Sequence, residues 1–161
     1  GDTWRASRPI IGLGPIQPSL AKRRDGTIIA FCRASGPPPG RVMASHSRDN
    51  GETWSAALDT TLPNPGSSLE VTVLRDGRWL IVYNDSTRSR DNLTVALSTD
   101  EGKTWPLKRR LEPRDDGATS FSYPSVIQSA DGAVHITYTC KGPRGGRIRH
   151  GILQLNQLKS D

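Results

Sequence analysis

Eight residues ahead of each of three Asp-Gly pairs, at 25–26, 76–77 and 131–132, stand Gln17, Ser68 and Tyr123. The repeated offset makes them equivalents: an amide, a hydroxyl and a phenol at the start of the same strand in three copies of one unit. Side chains alternate along a strand, so Ser19, Glu70 and Ser125, two residues further on, point the same way as these three. Glu70 is the conspicuous one, a carboxylate among Leu69, Val71 and Val73. A carboxylate exchanges protons near neutral pH, an amide does not, and a phenol with a pKa of about 10 needs a neighbouring base to act there. Of this set Glu70 is the residue that can take a proton, and Gln17, an amide, cannot. The plain alternatives are a rim tyrosine bonded to backbone and a carboxylate that only pairs with an arginine.

The formal charge of +6, from 22 Lys and Arg against 16 Asp and Glu, favours an anionic ligand. Nucleic acid fits the charge but not its distribution, because the basic residues are dispersed along the chain and no RNA- or DNA-binding signature occurs. His46, His135 and His150 lack metal-ligand spacing and read as structural or surface residues; neither a metal nor a cofactor is expected. Cys32 and Cys140 sit far apart inside apolar strand patterns and read as buried free thiols. No apolar run approaches the roughly 20 residues of a membrane span, and no leader pattern opens the sequence, so a soluble protein without a membrane partner is expected.

The scaffold that must position these residues reads as nearly all β. Glycine and proline number 16 and 12, turn dipeptides recur at regular intervals, and helical periodicity is scarce. The octet from Ser47 to Trp54 returns from Ser98 to Trp105 as the same S-x-D-x-G-x-T-W pattern. Its Asp (Asp49, Asp100) can bond backbone two residues on, its Gly (Gly51, Gly102) supplies positive φ, and its Trp (Trp54, Trp105) is a large apolar anchor. That is a hairpin loop pinned to a core, and Gly1 to Trp4 repeats its second half. Strands are predicted over 17–24, 27–33 and 41–47, over 68–75, 78–84 and 92–98, and over 123–130, 133–140 and 147–155. The residues after each Trp can supply a fourth. Four antiparallel strands per roughly 50 residues make a β-propeller blade, giving repeats at 5–54, 55–105 and 106–161 in one partial domain. A β-sandwich of short strands is the competitor, but it would not require a fixed octet in each repeat.

Octets of this kind between the third and fourth strands of successive blades resemble the Asp-boxes of the sialidase (neuraminidase) superfamily of six-bladed propellers. The resemblance covers nearly the whole chain and gives the octets a structural role. It implies a glycosidase acting beside an acidic sugar, with a tyrosine nucleophile in a segment similar to Tyr123-Pro124-Ser125-Val126 followed by Asp131-Gly132. A neutral phenol can approach an anomeric centre that bears a carboxylate, where an anionic nucleophile would be repelled. The resemblance also implies that Arg33, at the end of its strand, and Arg90, in Arg90-Asp91-Asn92-Leu93, belong to a triad of substrate-binding arginines. A planar guanidinium suits that task because it binds a carboxylate bidentately. Ordinary surface or loop charges are the alternative for both.

The sequence departs from the family where a base is expected. Gln17 stands in the place of a Glu, and the Glu after the last Tyr of the Tyr123 unit is replaced by Thr139. Either Glu70, one blade along, supplies the base or the chain is not an ordinary sialidase. The third arginine and the acid/base aspartate correspond to blades that precede these, so little hydrolysis is expected from this chain alone. The reading is thus a sialidase-like section acting on or binding a glycan with an acidic sugar, or alternatively a carbohydrate-binding or structural propeller section without turnover. Arg33, Arg90 and Tyr123 should converge at one mouth of the channel, away from both Asp-boxes, with Glu70 within reach of Tyr123 or an arginine. Two apolar end faces would let a second copy close a ring as a homodimer.

Overall fold

The computed structural model describes residues 2–112, 118–155 and 158. Eleven strands run through these residues without an α-helix. The first sheet is β1 (Pro15–Lys22), β2 (Ile28–Ala34), β3 (Arg41–Ser47) and β4 (Leu58–Pro63). The second is β5 (Glu70–Val73), β6 (Trp79–Tyr83), β7 (Leu93–Ser98) and β8 (Leu107–Glu112). The third is β9 (Ser120–Gln128), β10 (Val134–Gly142) and β11 (Gly145–Leu153). Each is an antiparallel meander with its strands in chain order. The strands after Trp54 and Trp105 complete the sheets that precede them, so each sheet runs past its octet. In the third sheet the strands continue through Gly145 and Gly146, where a longer loop was expected, because Gly142 pairs with Gly145 around a two-residue turn.

The sheets stack face to face, with β5 packed between β1 and β9. This explains the apolar run of β6 and the burial of β6 and β7 along their whole length. Trp79, Ile81, Tyr83 and Ala96 meet Ile29, Phe31 and Val42 of the first sheet. Leu80, Val82, Leu93, Val95 and Leu97 meet Val126, Val134, Ile136 and Tyr138 of the third. A strand with alternating polarity could not fill both interfaces. The outer side of the third sheet exposes Ile127, Ile148 and Ile152, and the opposite end of the stack exposes Leu13, Leu20 and Leu58. Trp4, in the partial octet, is 93% exposed. Cys32 and Cys140 are buried free thiols.

Local hydrogen bonds account for the turns. In each Asp-Gly pair the Asp Oδ1 accepts from the backbone N–H two residues on: Thr27 at 2.9 Å, Arg78 at 3.0 Å and Ala133 at 3.1 Å. In the octets, Asp49 Oδ1 accepts from the Thr53 N–H at 2.9 Å, and Asp100 Oδ1 from the Thr104 N–H at 2.8 Å. The Gly51 and Gly102 amides donate to Ser47 Oγ and Ser98 Oγ at 2.8 and 2.9 Å. Trp105 is buried, whereas Trp54 is half-buried and donates its Nε1–H to the Gly51 carbonyl.

These bonds make the octets acid-sensitive. The Thr53 hydroxyl and amide, with Ser47, hold the Asp49 carboxyl far below its ordinary value. Burial pushes the Asp100 carboxyl up, but the bonds from Thr104 and Ser98 outweigh it and bring the group down to about 2. A carboxyl depressed by folding stabilises the fold fully above its unfolded value and loses that contribution as pH falls through its folded value. The urea midpoint is therefore expected to drop between about pH 4 and 2. In Asp100→Asn that drop should be shallower; an identical slope in the variant would refute the assignment.

Candidate functional site

The strand registers separate the two ends of the stack. Ile28 pairs with Ser47 and Arg33 with Val42, so the first octet lies at one end of β2–β3 and Arg33 at the other. Trp79 pairs with Ser98 and Tyr83 with Thr94, which places the second octet at the end occupied by the Asp-Gly turns. Glu70 and Tyr123 lie toward the end opposite those turns. The candidate residues and the octets thus occupy opposite ends of the sheets.

Arg33 and Arg90 come from different sheets and meet at one atom. Arg33 Nη1 donates to the Gly66 carbonyl at 2.6 Å, and Arg90 Nη2 donates to the same oxygen at 2.8 Å. Both side chains are half-buried, and no ion pair with a described carboxylate engages either. The Arg33 Nε–H is buried without an acceptor among the described residues. Two guanidinium groups on one neutral oxygen repel each other, and each keeps further N–H donors for an anion. The Arg90 carbonyl in turn accepts from the Phe121 N–H at 2.8 Å, joining this loop to β9.

Tyr123 lies two residues further along β9, and its N–H donates to Ser68 Oγ at 2.8 Å. The segment from Gly66 to Ser68 therefore touches all three residues. Tyr123 is 54% exposed and has a left-handed φ of 52°, at a register shift between β9 and β10. Gln17 repeats this with φ of 50° at the register shift between β1 and β2. The two positions expected at strand starts are instead bulges inside β1 and β9. An extra residue there re-aims the side chain out of the simple alternation.

Glu70 opens β5 and is half-buried. Burial raises its carboxyl above the ordinary carboxylate value, and a hydrogen bond with Ser19 works against that rise. Ser19 is held in the joint between sheets, where its Oγ accepts from the Val71 N–H at 3.0 Å. Among the described residues no hydrogen bond or ion pair joins Glu70 to Tyr123 or to an arginine, where one was expected, and the group beside its carboxyl is the Ser19 hydroxyl. A hydroxyl neutralises nothing, so the carboxyl stays inclined to hold a proton.

Sequence reading set Ser68 beside Gln17 and Tyr123 but passed over Asn64 and Gly66 as holders of the site. The Asn64-Pro65-Gly66 triplet was a visible turn signal, but nothing local says what its carbonyl meets. Among the described residues, no group of three or more His, Cys, Asp or Glu could hold a metal ion. No described helix is long and apolar enough to cross a membrane.

The profile of the BNR repeat-like domain matches residues 1–136. The chain belongs to the BNR repeat-like domain family. A sialidase of Micromonospora viridifaciens is similar to this BNR repeat-like chain, 26% identical over 148 residues that make up 86% of the chain and 22% of the relative. Among solved structures, the NanB sialidase of Streptococcus pneumoniae matches with a TM-score of 0.75 at 18% identity, covering 99% of this chain and 26% of that one. The intramolecular trans-sialidase of Ruminococcus gnavus matches with a TM-score of 0.71 at 17% identity, covering 89% and 33%. The BNR repeat-like chain thus spans between 22% and 33% of the length of these proteins. Its sheets are blades of a sialidase-like β-propeller.

Proposed function

We propose that the chain is a section of a sialidase-like glycoside hydrolase and that the end carrying Arg33, Arg90 and Tyr123 binds a glycan through an acidic sugar. The observation that carries this reading is the pair of guanidinium groups on the Gly66 carbonyl, held beside the Tyr123 segment without a described carboxylate partner. The N–H groups left on Arg33 and Arg90 grip the sugar carboxylate. Gln17, on the equivalent bulge of the first blade, hydrogen-bonds sugar hydroxyls. In the reaction Tyr123 Oη bonds to the anomeric carbon as the glycosidic C–O bond breaks. The phenolic proton passes through a bridging water to Glu70, whose raised affinity for a proton suits it as the base, while the departing oxygen takes its proton from an acid in a preceding blade.

A second reading, binding without turnover, is favoured by the amide at Gln17 and by the Ser19 partner of Glu70. Titration calorimetry with the methyl α-glycoside of N-acetylneuraminic acid, against methyl galactoside, tests the shared part. Binding of the acidic sugar should weaken about tenfold or more in Arg33→Ala and in Arg90→Ala, as expected for losing a hydrogen bond to a charged group. Equal binding of the neutral sugar, or indifference to both substitutions, would refute it. Release of 4-methylumbelliferone from its sialoside, lost in Tyr123→Phe, selects the enzymatic reading, and binding without release selects the second.

A further inference from the structure

We propose that Asn64 is the positioning residue of the arginine pair, acting through the peptide group between Gly66 and Ser67; the ligand half of this inference rests on the reading of Arg33 and Arg90 as the anion grip. A trans peptide is planar, so its C=O and N–H point in opposite directions and turn together. The oxygen of this one accepts from Arg33 Nη1 and Arg90 Nη2, which uses both lone pairs. Its N–H donates to Asn64 Oδ1 at 2.9 Å, from the other side. Asn64 Nδ2 then donates to the Ser67 carbonyl at 2.9 Å, so one amide side chain holds both faces of Ser67.

Asn64 is itself fixed. It is fully buried, and its N–H donates to the Gly40 carbonyl at 2.9 Å. A Cβ on Gly40 would lie 2.3 Å from the Asn64 carbonyl oxygen, so this approach admits only glycine. Gly66 has φ of 74°, the left-handed turn that swings the peptide toward the arginines. Without Asn64 the peptide is free to rotate, and the two guanidinium groups lose the atom that holds them at a common distance against their repulsion. Asn64 does not touch the ligand. It sets where the two cations stand before the ligand arrives.

The test uses the 161-residue chain and NMR of its arginine side chains. In the unaltered protein the Arg33 and Arg90 Nη–H groups should rotate slowly and the Ser67 amide should be protected. In Asn64→Ala both arginine signals should average, Ser67 should exchange faster, and affinity for the methyl α-sialoside should fall about tenfold. Asn64→Asp keeps the acceptor for the Ser67 N–H and should restore slow rotation and most of the affinity. Unchanged arginine signals in folded Asn64→Ala, or lost signals with full affinity, would overturn the proposal. Should neither variant fold, freely rotating Arg33 and Arg90 in the unaltered chain would overturn it as well. A chain that binds no sialoside yet shows this arginine response removes the functional reading and leaves Asn64 as the residue that positions the pair.

Discussion

Gly102→Ala is expected to destabilise the chain by about 3–4 kcal/mol, and Gly51→Ala by only about 1–2 kcal/mol, although the two glycines hold the same place in the same octet. Both have left-handed φ, 82° and 91°, so both variants carry the backbone penalty of an L side chain there. They differ in what a Cβ would meet. At Gly102 it would lie 2.8 and 2.9 Å from Cε3 and Cζ3 of Trp79 and 3.0 Å from Cζ of Phe31. At Gly51 the nearest atom is Trp54 Cζ2, at 3.9 Å. Trp79 is 1% exposed and Phe31 2%, and their rings meet edge to face with centroids 6.3 Å apart, so neither can retreat. Phe31 belongs to the first sheet and Trp79 to the second, which makes the second octet a wedge between blades. Urea unfolding of the two variants checks this, and equal losses would show that the Gly102 loop is not seated on that pair.

Glu112→Ala is expected to cost about 2–3 kcal/mol, because it strips the carboxylate that ties β8 to the third sheet. Glu112 Oε1 accepts from Tyr138 Oη at 2.7 Å and from Arg149 Nη1. The carboxylate side chain is 11% exposed and the Arg149 side chain 39%, so water softens the loss of the ion pair and not that of the phenol bond. Glu112→Gln, which can still accept from the phenol, should lose about 1 kcal/mol. A second readout comes from the phenol. Burial first, and then Glu112, pushes the Tyr138 phenol up to about 12. In Glu112→Ala its ultraviolet titration should move down toward the ordinary tyrosine value yet stay above it, since burial remains. No movement would mean that the bond is not formed in solution.

The parts of this fold that were legible in the sequence are those whose hydrogen bonds close within a few residues. Asp49 reaches Thr53, Asp100 reaches Thr104, and each Asp-Gly pair bonds two residues on, so spacing alone reports them. The strands between them were legible because apolar runs must fill two interfaces. The bulges at Gln17 and Tyr123 were not, since neither position holds a glycine and nothing in the residue type marks a left-handed φ there. The arginine pair was named through resemblance, but its anchor was hidden: Gly66 is far from Arg33 and Arg90 along the chain, and a backbone oxygen has no signature in a sequence. Glu70 shows the same limit. Its run marked it as unusual, while its partner Ser19 comes from the neighbouring blade and depends on how the sheets stack.

The separation of the two ends of the stack bears on how such a chain can change over generations. The octets and Asp-Gly turns tie down one end with bonds inside each loop and between neighbouring loops at that same end, so replacing a residue at the other end breaks none of them. The exposed residues 35–39 there can exchange side chains at small risk to folding, whereas Gly40 and the buried Asn84 and Asn92 are held in place. Natural selection can therefore remodel that exposed loop while inheriting the scaffold unaltered, and a library of variants confined to it would start from a common stable fold.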